Sequence, residues 1–107
     1  MKIINITASR HAVFYSPLLA MINGNFLEEE GLKGKYHKPK ENINIYEKIE
    51  SKEIDVAQSA VSGSWNFLKK NLKSTIKHFA LINSRDGFFI ISKNLNSFKW
   101  NHLYINP

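Results

Sequence analysis

The amino-acid sequence predicts an α/β fold, a mainly parallel sheet with helices on both faces. Segments typical of strands and helices alternate along the chain, as they do when helical crossovers join parallel strands. The short apolar run "DVAQSA", residues 55–60, precedes a helix signal and predicts a buried strand. The 107 residues are the size of one domain, so we expect 1–107 to form a single α/β lobe.

The N-terminal segment predicts a strand followed by a helix. "KIINITAS" is rich in β-branched residues and alternates in the manner of a strand. Ser16 is the expected N-cap of the helix, and Pro17 suits its first turn. Apolar residues recur at helical spacing as far as Phe26, and Gly31 provides the stop signal.

The middle of the chain predicts a second strand and a second helix. "LKGKYHK" is the extended candidate, and Pro39 closes it. Ile45 and Ile49, with Ile54 as a further candidate, mark the apolar face of the helix, and glutamates and lysines occupy its other side.

The C-terminal half predicts a third helix and two more strands. Ser62 or Ser64 is the expected N-cap of this helix, and its apolar face is expected to carry Trp65, Leu68 and Leu72. "TIKHFALIN" and "GFFIISKN" predict the strands, joined by a turn at Asp86 and Gly87.

Composition and charge exclude several classes of function. The net charge is +6, but lysine dominates and no arginine-rich block or nucleic-acid motif occurs, so we expect no nucleic-acid partner. No apolar run is long enough for membrane insertion. No export signal is evident, which predicts a cytoplasmic location. The chain has no cysteine and therefore no disulfide or thiolate chemistry.

Polar and aromatic side chains follow three of the predicted strands. In open α/β sheets ligands bind beyond the carboxyl ends of the strands, so these side chains predict a site for a small organic or anionic ligand. Arg10 would pair with an anionic group, Tyr15 would stack, and serines with nearby backbone amides would donate hydrogen bonds. The candidate ligand-binding residues are Arg10, His11, Phe14, Tyr15, Gln58, Ser59, Ser62, Asn83 and Asp86.

Simpler interpretations exist for several of these residues. Phe14 suits packing in the core as well as a ligand wall, and Arg10 suits a surface charge. The stretch "QSAVSGS" suits helix capping alone. No metal site or cofactor is expected, because the four histidines lack ligand spacing and no phosphate-binding or nucleophile motif occurs.

Several stretches resemble one family in the correct order along the chain. They are "HAVFYSPLLAMINGNFLEEEGL", "SKEIDVAQSAVSG", "SRDGFFIISK" and "FKWNHL". Together they resemble the SsuA/THI5-like (NMT1-like) branch of the type II periplasmic-binding-protein family. The resemblance implies the N-terminal lobe of a two-lobed clamshell. It further implies a solute-binding module related to ABC-transporter receptors for sulfonates, nitrate-like anions or thiamine-pyrimidine precursors, with a permease or a second lobe as partner.

The chain departs from this family in several places. The family's chains are longer and include a second lobe, so this sequence is expected to be a first-lobe fragment. Lys52 stands where the branch usually has glycine. One alternative is a thiamine-pyrimidine synthase-like enzyme using His11, although the cysteine-rich stretch of those relatives is absent. Another is a non-functional remnant or a lobe that needs a partner, with Phe98, Trp100 and Tyr104 left uncovered.

Overall fold

A computed structural model describes residues 1–85 and 99–103 of the chain, without the side chains of residues 102 and 103. Several predicted features lie outside these residues. They are the strand "GFFIISKN", the turn at Asp86 and Gly87, and the aromatic residues Phe98 and Tyr104.

Three strands and three α-helices alternate within the described residues. Strand β1 is Lys2–Ala8, β2 is Leu32–Tyr36 and β3 is Val56–Gln58. Helix α1 is Ser16–Asn23, α2 is Ile45–Glu50 and α3 is Val61–Lys70. Short 3₁₀ turns occupy Val13–Tyr15, Glu28–Glu30 and Trp100–Leu103. The predicted alternation of strand and helix is therefore confirmed from β1 to α3.

The three strands form one parallel sheet in the order β2-β1-β3. Lys2 pairs with Leu32 at the start of the β1–β2 ladder, and Ile6 pairs with Val56 at the start of the β1–β3 ladder. The strands run in the same direction, so their carboxyl ends meet at one edge. The predicted α/β class and the parallel sheet are confirmed.

The core lies between β1 and α1. Ile6, Ala8 and Leu18 are buried there, and Tyr15 is one of the partly buried side chains that pack against them. Alternate residues of a strand face the same side of a sheet, so one face of β1 supports α1 through Ile6 and Ala8. The β-branched alternation of "KIINITA" thus supplies the apolar face on which α1 packs.

A polar ladder on the other face of the sheet joins β1 to His37, just after β2, and to Asp55, just before β3. The Asn5 side chain donates to Asp55 Oδ2, and Asn5 Oδ1 lies 2.8 Å from His37 Nε2. The Thr7 hydroxyl donates to the His37 carbonyl at 2.6 Å. A shift of one residue along β1 would separate these partners, so the ladder specifies the register of the sheet.

Helix α1 starts and ends differently from the prediction. Tyr15 occupies the N-cap position without a side-chain hydrogen bond, and Ser16 is already the first helical residue. The helix ends at Asn23 rather than near Phe26, because Gly24 caps it and Asn25 adopts a φ of 60°. The stop signal of Gly31 is real, with a φ of 75°, but it ends the separate turn Glu28–Glu30.

Helix α3 begins before the predicted cap and turns a different face inward. Ala60 is its N-cap, and both Ser62 and Ser64 lie inside the helix. Ser64 and Phe67 are buried, whereas Trp65 remains 64% exposed. The prediction of an inward face with Trp65 and Leu72 is therefore wrong. Phe67 faces inward because its ring stacks on that of Tyr46 in α2, with centroids 5.7 Å apart.

The predicted fourth strand, residues 75–83, is not a strand in the structure. Side-chain contacts hold this segment against α2 and α3. The Ser74 hydroxyl and the Thr75 backbone N–H donate to Glu50, and His78 Nε2 lies 2.8 Å from Ser64 Oγ. A cavity of about 230 Å³, lined by residues of both β3 and this segment, lies between them in place of a hydrogen-bonded ladder.

Lys52 follows α2 and adopts a φ of 65°, in the left-handed region that favours glycine. We expect Lys52→Gly to raise the free energy of unfolding by about 0.5–1 kcal/mol, because the strain relieved exceeds the entropy that glycine loses on folding. Urea denaturation measures the change. Lys52→Ala is the control, since alanine keeps the Cβ; an equal gain from alanine would contradict the explanation.

Candidate functional site

An open cleft of about 620 Å³ lies at the carboxyl edge of the sheet. Ser9 follows β1 and Ser59 follows β3. The first turn of α2 and one side of α3, from its first turn to its last, complete the walls. We call this space the rim cleft. Its lining residues are Ser9, Ile43, Asn44, Ile45, Tyr46, Glu47, Ser59, Ala60, Ser62, Gly63, Asn66, Phe67, Lys70 and Asn71.

Tyr46 joins the two helices that flank the rim cleft. Its hydroxyl lies 2.7 Å from Ser59 Oγ, and its ring stacks on Phe67 at an interplanar angle of 26°. A Cβ at position 63 would lie 2.6 Å from the Tyr46 hydroxyl. Glycine at this position therefore allows the tyrosine to lie against α3, and the aromatic ring with its polar tip forms one wall of the cleft.

The first turn of α2 is held in place by its cap. The Asn44 side chain accepts hydrogen bonds from the backbone N–H groups of Tyr46 and Glu47, at 2.9 and 3.4 Å. This arrangement satisfies two helix-end donors and orients the turn that carries Tyr46. Each helix contributes one charged residue to the cleft lining: Glu47 from α2 and Lys70 from α3.

The aromatic and basic loop after β1 lies on the same edge but outside the rim-cleft lining. His11 Nδ1 lies 3.0 Å from the Tyr36 hydroxyl at the end of β2. Burial raises the pKa of Tyr36, because a phenolate would lose solvation there. Phe14 packs edge-on against Tyr15 with ring centroids 5.2 Å apart. Arg10 is exposed and makes no hydrogen bond or ion pair with a described residue.

Gln58, the last residue of β3, forms hydrogen bonds both with Ser9 after β1 and with Asn83, another of the predicted ligand-binding residues. Its carbonyl accepts from the Ser9 backbone N–H at 3.0 Å, and its Nε2 donates to Asn83 Oδ1 at 2.9 Å. Its Oε1 is buried without a hydrogen-bond partner in the described part of the chain. A buried acceptor without a hydrogen bond lowers the free energy of unfolding unless a further donor reaches it.

The structure therefore brings the predicted residues together only in part. Ser59 and Ser62 line the rim cleft, and Gln58 with Asn83 forms a pair near it. The first-loop residues His11, Phe14 and Tyr15 contact other partners, and Asp86 lies outside the described residues. Tyr15 packs on the core. The simpler interpretation had suggested core packing for its neighbour Phe14.

Sequence reasoning missed three residues at this edge, namely Tyr36, Tyr46 and Lys70. Tyr36 is the last residue of β2, and Tyr46 lies in the first turn of the helix that follows. Tyr36 lies at the end of its strand, so the rule that selected Ser59 could have found it. Tyr46 lies well beyond the end of β2, so that rule would not have found it. Nothing in the sequence marked Lys70, because its position depends on which way α3 is turned.

One serine and histidine pair resembles a nucleophile with its base but is structural. Ser64 is fully buried, and its hydroxyl donates to the Val61 carbonyl at 2.7 Å. The single hydroxyl proton is thereby used, so His78 Nε2 donates to Ser64 Oγ. Among residues 1–85 and 99–103, no cluster of three or more histidine and acidic side chains could hold a metal ion.

Comparisons with known protein families, with curated proteins and with solved structures find no match to this chain. In the described ranges, no helix has the length and apolar character needed to cross a membrane. The α/β class and the geometry of the rim cleft are therefore the observations from which a function can be argued.

Proposed function

We propose that this chain is a small-molecule-binding module that holds a small organic or anionic ligand in the rim cleft. The observation that carries the proposal is the position of the cleft. It lies beyond the carboxyl ends of β1 and β3, where ligands of open α/β sheets bind. A volume of about 620 Å³ is in the range of pockets that hold small ligands.

The chemistry of the walls defines the class of ligand. Tyr46 offers a ring face and a hydroxyl, and Ser59 and Ser62 offer two further hydroxyls. Lys70 supplies the positive charge that the sequence analysis assigned to Arg10, because it lines the cleft. A compact molecule with a planar part and an anionic or electron-rich group matches these donors.

Two observations favour the binding function that the resemblance to the SsuA/THI5-like branch implies. The chain follows that family's predicted order of strand and helix from β1 to α3. Lys52, which stands where that branch has glycine, has a φ of 65°. On this proposal helices cover both faces of the sheet. The lobe is the N-terminal half of a clamshell, and a second lobe or an ABC-transporter permease completes the assembly.

The enzymatic alternative depends on His11, which the structure pairs with Tyr36 outside the rim-cleft lining. A binding role uses the cleft residues, whereas the enzymatic role does not. We therefore give the binding role precedence.

Calorimetric titration with three probes tests the proposal: a thiamine-type aminopyrimidine, an alkyl sulfonate and nitrate. We expect at least one probe to bind. Tyr46→Phe should weaken that binding roughly three- to tenfold, the effect of one lost hydrogen bond, while the melting temperature shows that the fold is retained.

Tyr36→Phe is the matched control, because it removes a tyrosine hydroxyl from the same edge but outside the rim-cleft lining. Its affinity for the probe should equal that of the wild type. Binding that is lost equally in both variants would place the ligand elsewhere. A lack of heat and of thermal stabilisation with every probe would reject the proposed function.

A further inference from the structure

The net positive charge is concentrated in one part of the chain. Residues 1–55 carry eight basic and eight acidic side chains, which balance. Residues 56–85 carry four lysines and Arg85 but no aspartate or glutamate. This segment contains α3 and the chain that follows it, so most of the net charge of +6 comes from α3 and its neighbourhood.

Helix α3 presents an apolar outer face beside this charge. Val61, Trp65 and Leu68 recur at helical spacing and lie on one side of the helix, which we call the α3 outer face; Leu68 is half-buried at its edge. Val61 is 46% exposed and Trp65 is 64% exposed. Leu72, just beyond the helix, is 89% exposed. The side of α3 that packs on the protein is a different one, which carries Ser64 and Phe67.

Lysines lie on α3 beside its outer face and in the chain that follows, and they form no ion pair with a described residue. Lys69 lies four residues after Trp65 and therefore beside it on the helix surface. Lys73 and Lys77 follow in the next segment. The ion pair Lys48–Glu53 is the one salt bridge within the described residues, so these three lysines form none there.

We propose that the α3 outer face binds in the plane of an anionic lipid surface. A helix with an exposed tryptophan and aliphatic residues, flanked by lysines, suits the boundary between headgroups and acyl chains. Each lysine near such a surface contributes about 1 kcal/mol of attraction, roughly a fivefold gain in affinity. This is peripheral binding, and it is independent of the proposed ligand site in the rim cleft.

Charge complementarity selects this partner over two others. A second copy of the chain would bring its own lysines against those of the first, and like charges repel across an interface. A nucleic acid would use the lysines, but Val61, Leu68 and Leu72 contribute nothing to phosphate binding. A bilayer of anionic lipids uses both the charge and the aliphatic side chains.

Co-sedimentation of the full chain with vesicles tests the proposal. The vesicles contain phosphatidylcholine alone or phosphatidylcholine mixed with phosphatidylserine. We expect binding to the mixed vesicles that weakens as salt rises to about 0.15 M, where charges are screened within roughly 8 Å. The double variant Lys69→Gln/Lys73→Gln should bind about 25-fold more weakly, from two losses of about fivefold. In Trp100→Phe, the emission of Trp65 should shift to the blue on binding.

The matched control is Lys33→Gln/Lys35→Gln on strand β2, which removes the same charge from exposed positions of another element. It should keep most of the affinity, and circular dichroism confirms that each variant is folded. Equal loss in both double variants, or no binding to the mixed vesicles, overturns the proposal. So does binding to a DNA duplex that displaces the vesicles and is unaffected by Trp65→Ser.

Discussion

Replacing Ile6 by alanine is expected to destabilise the protein by about 2–4 kcal/mol, the usual cost of truncating a buried isoleucine. Ile6 is 2% exposed, lies on the middle strand and pairs with residues of both neighbouring strands. Its side chain is part of the cluster with Ala8 and Leu18, so the cavity left behind would lie at the centre of the core. Urea denaturation followed by circular dichroism measures the loss.

The matched control is Ile3→Ala, because Ile3 lies on the same strand and its side chain is 55% exposed. It should cost about 0.5 kcal/mol or less, as is usual for surface substitutions. Similar losses at the two positions would mean that the core does not lie between β1 and α1.

Replacing Gly34 by valine is expected to cost about 1–3 kcal/mol through overpacking. A Cβ at this position would lie 2.8 Å from Leu27 Cδ1 and 3.3 Å from two carbons of Ile22. The absence of a side chain on this residue of β2 therefore lets the end of α1 and the following turn approach the sheet. A thermal melt of the variant should show a lower midpoint.

Lys33→Val is the control for Gly34→Val, because it places the same β-branched residue on the neighbouring, exposed position of β2. Valine favours strands, so this change should leave stability unchanged or slightly higher. If the two valines have the same effect, the close approach at Gly34 does not limit the packing of α1.

The strands β1, β2 and β3 could be predicted because their signals are local. "KIINITA" carries its own β-branched alternation, and "VAQ" is short, apolar and followed by a helix. Residues 75–83 have a similar composition but form no strand, because a strand needs a partner that accepts its hydrogen bonds. Here side-chain contacts to Glu50, Ser64 and Gln58 hold the segment, and no backbone ladder joins it to β3 within the described residues.

The face of α3 that is buried could not be predicted, because the helix has two apolar sides. Trp65 and Leu68 form one row, and Phe67 lies on the other. Periodicity indicates a helix in either case, but it does not say which row is buried. The choice is made by the stacking of Phe67 on Tyr46, a contact between residues far apart in sequence. A local sequence pattern carries no information about tertiary contacts of this kind.

The same limit applies to the candidate site. Ser59 was found because it follows β3 directly, and Ser62 because it was expected at the start of the next helix; both line the rim cleft. Lys70 lines it only because α3 is turned with Phe67 inward. Tyr15 was expected to stack on a ligand, but it packs on the core cluster of Ile6, Ala8 and Leu18.

The order of the strands has a consequence for synthesis on the ribosome. β1 is made first and is also the middle strand, with β2 on one side and β3 on the other. Once Tyr36 has left the exit tunnel, β1 can pair with β2, but its second edge stays open until Gln58 follows. A nascent chain that stalls in between presents unpaired backbone groups to neighbouring chains. Translational pausing before β3 would therefore promote aggregation more than pausing after it.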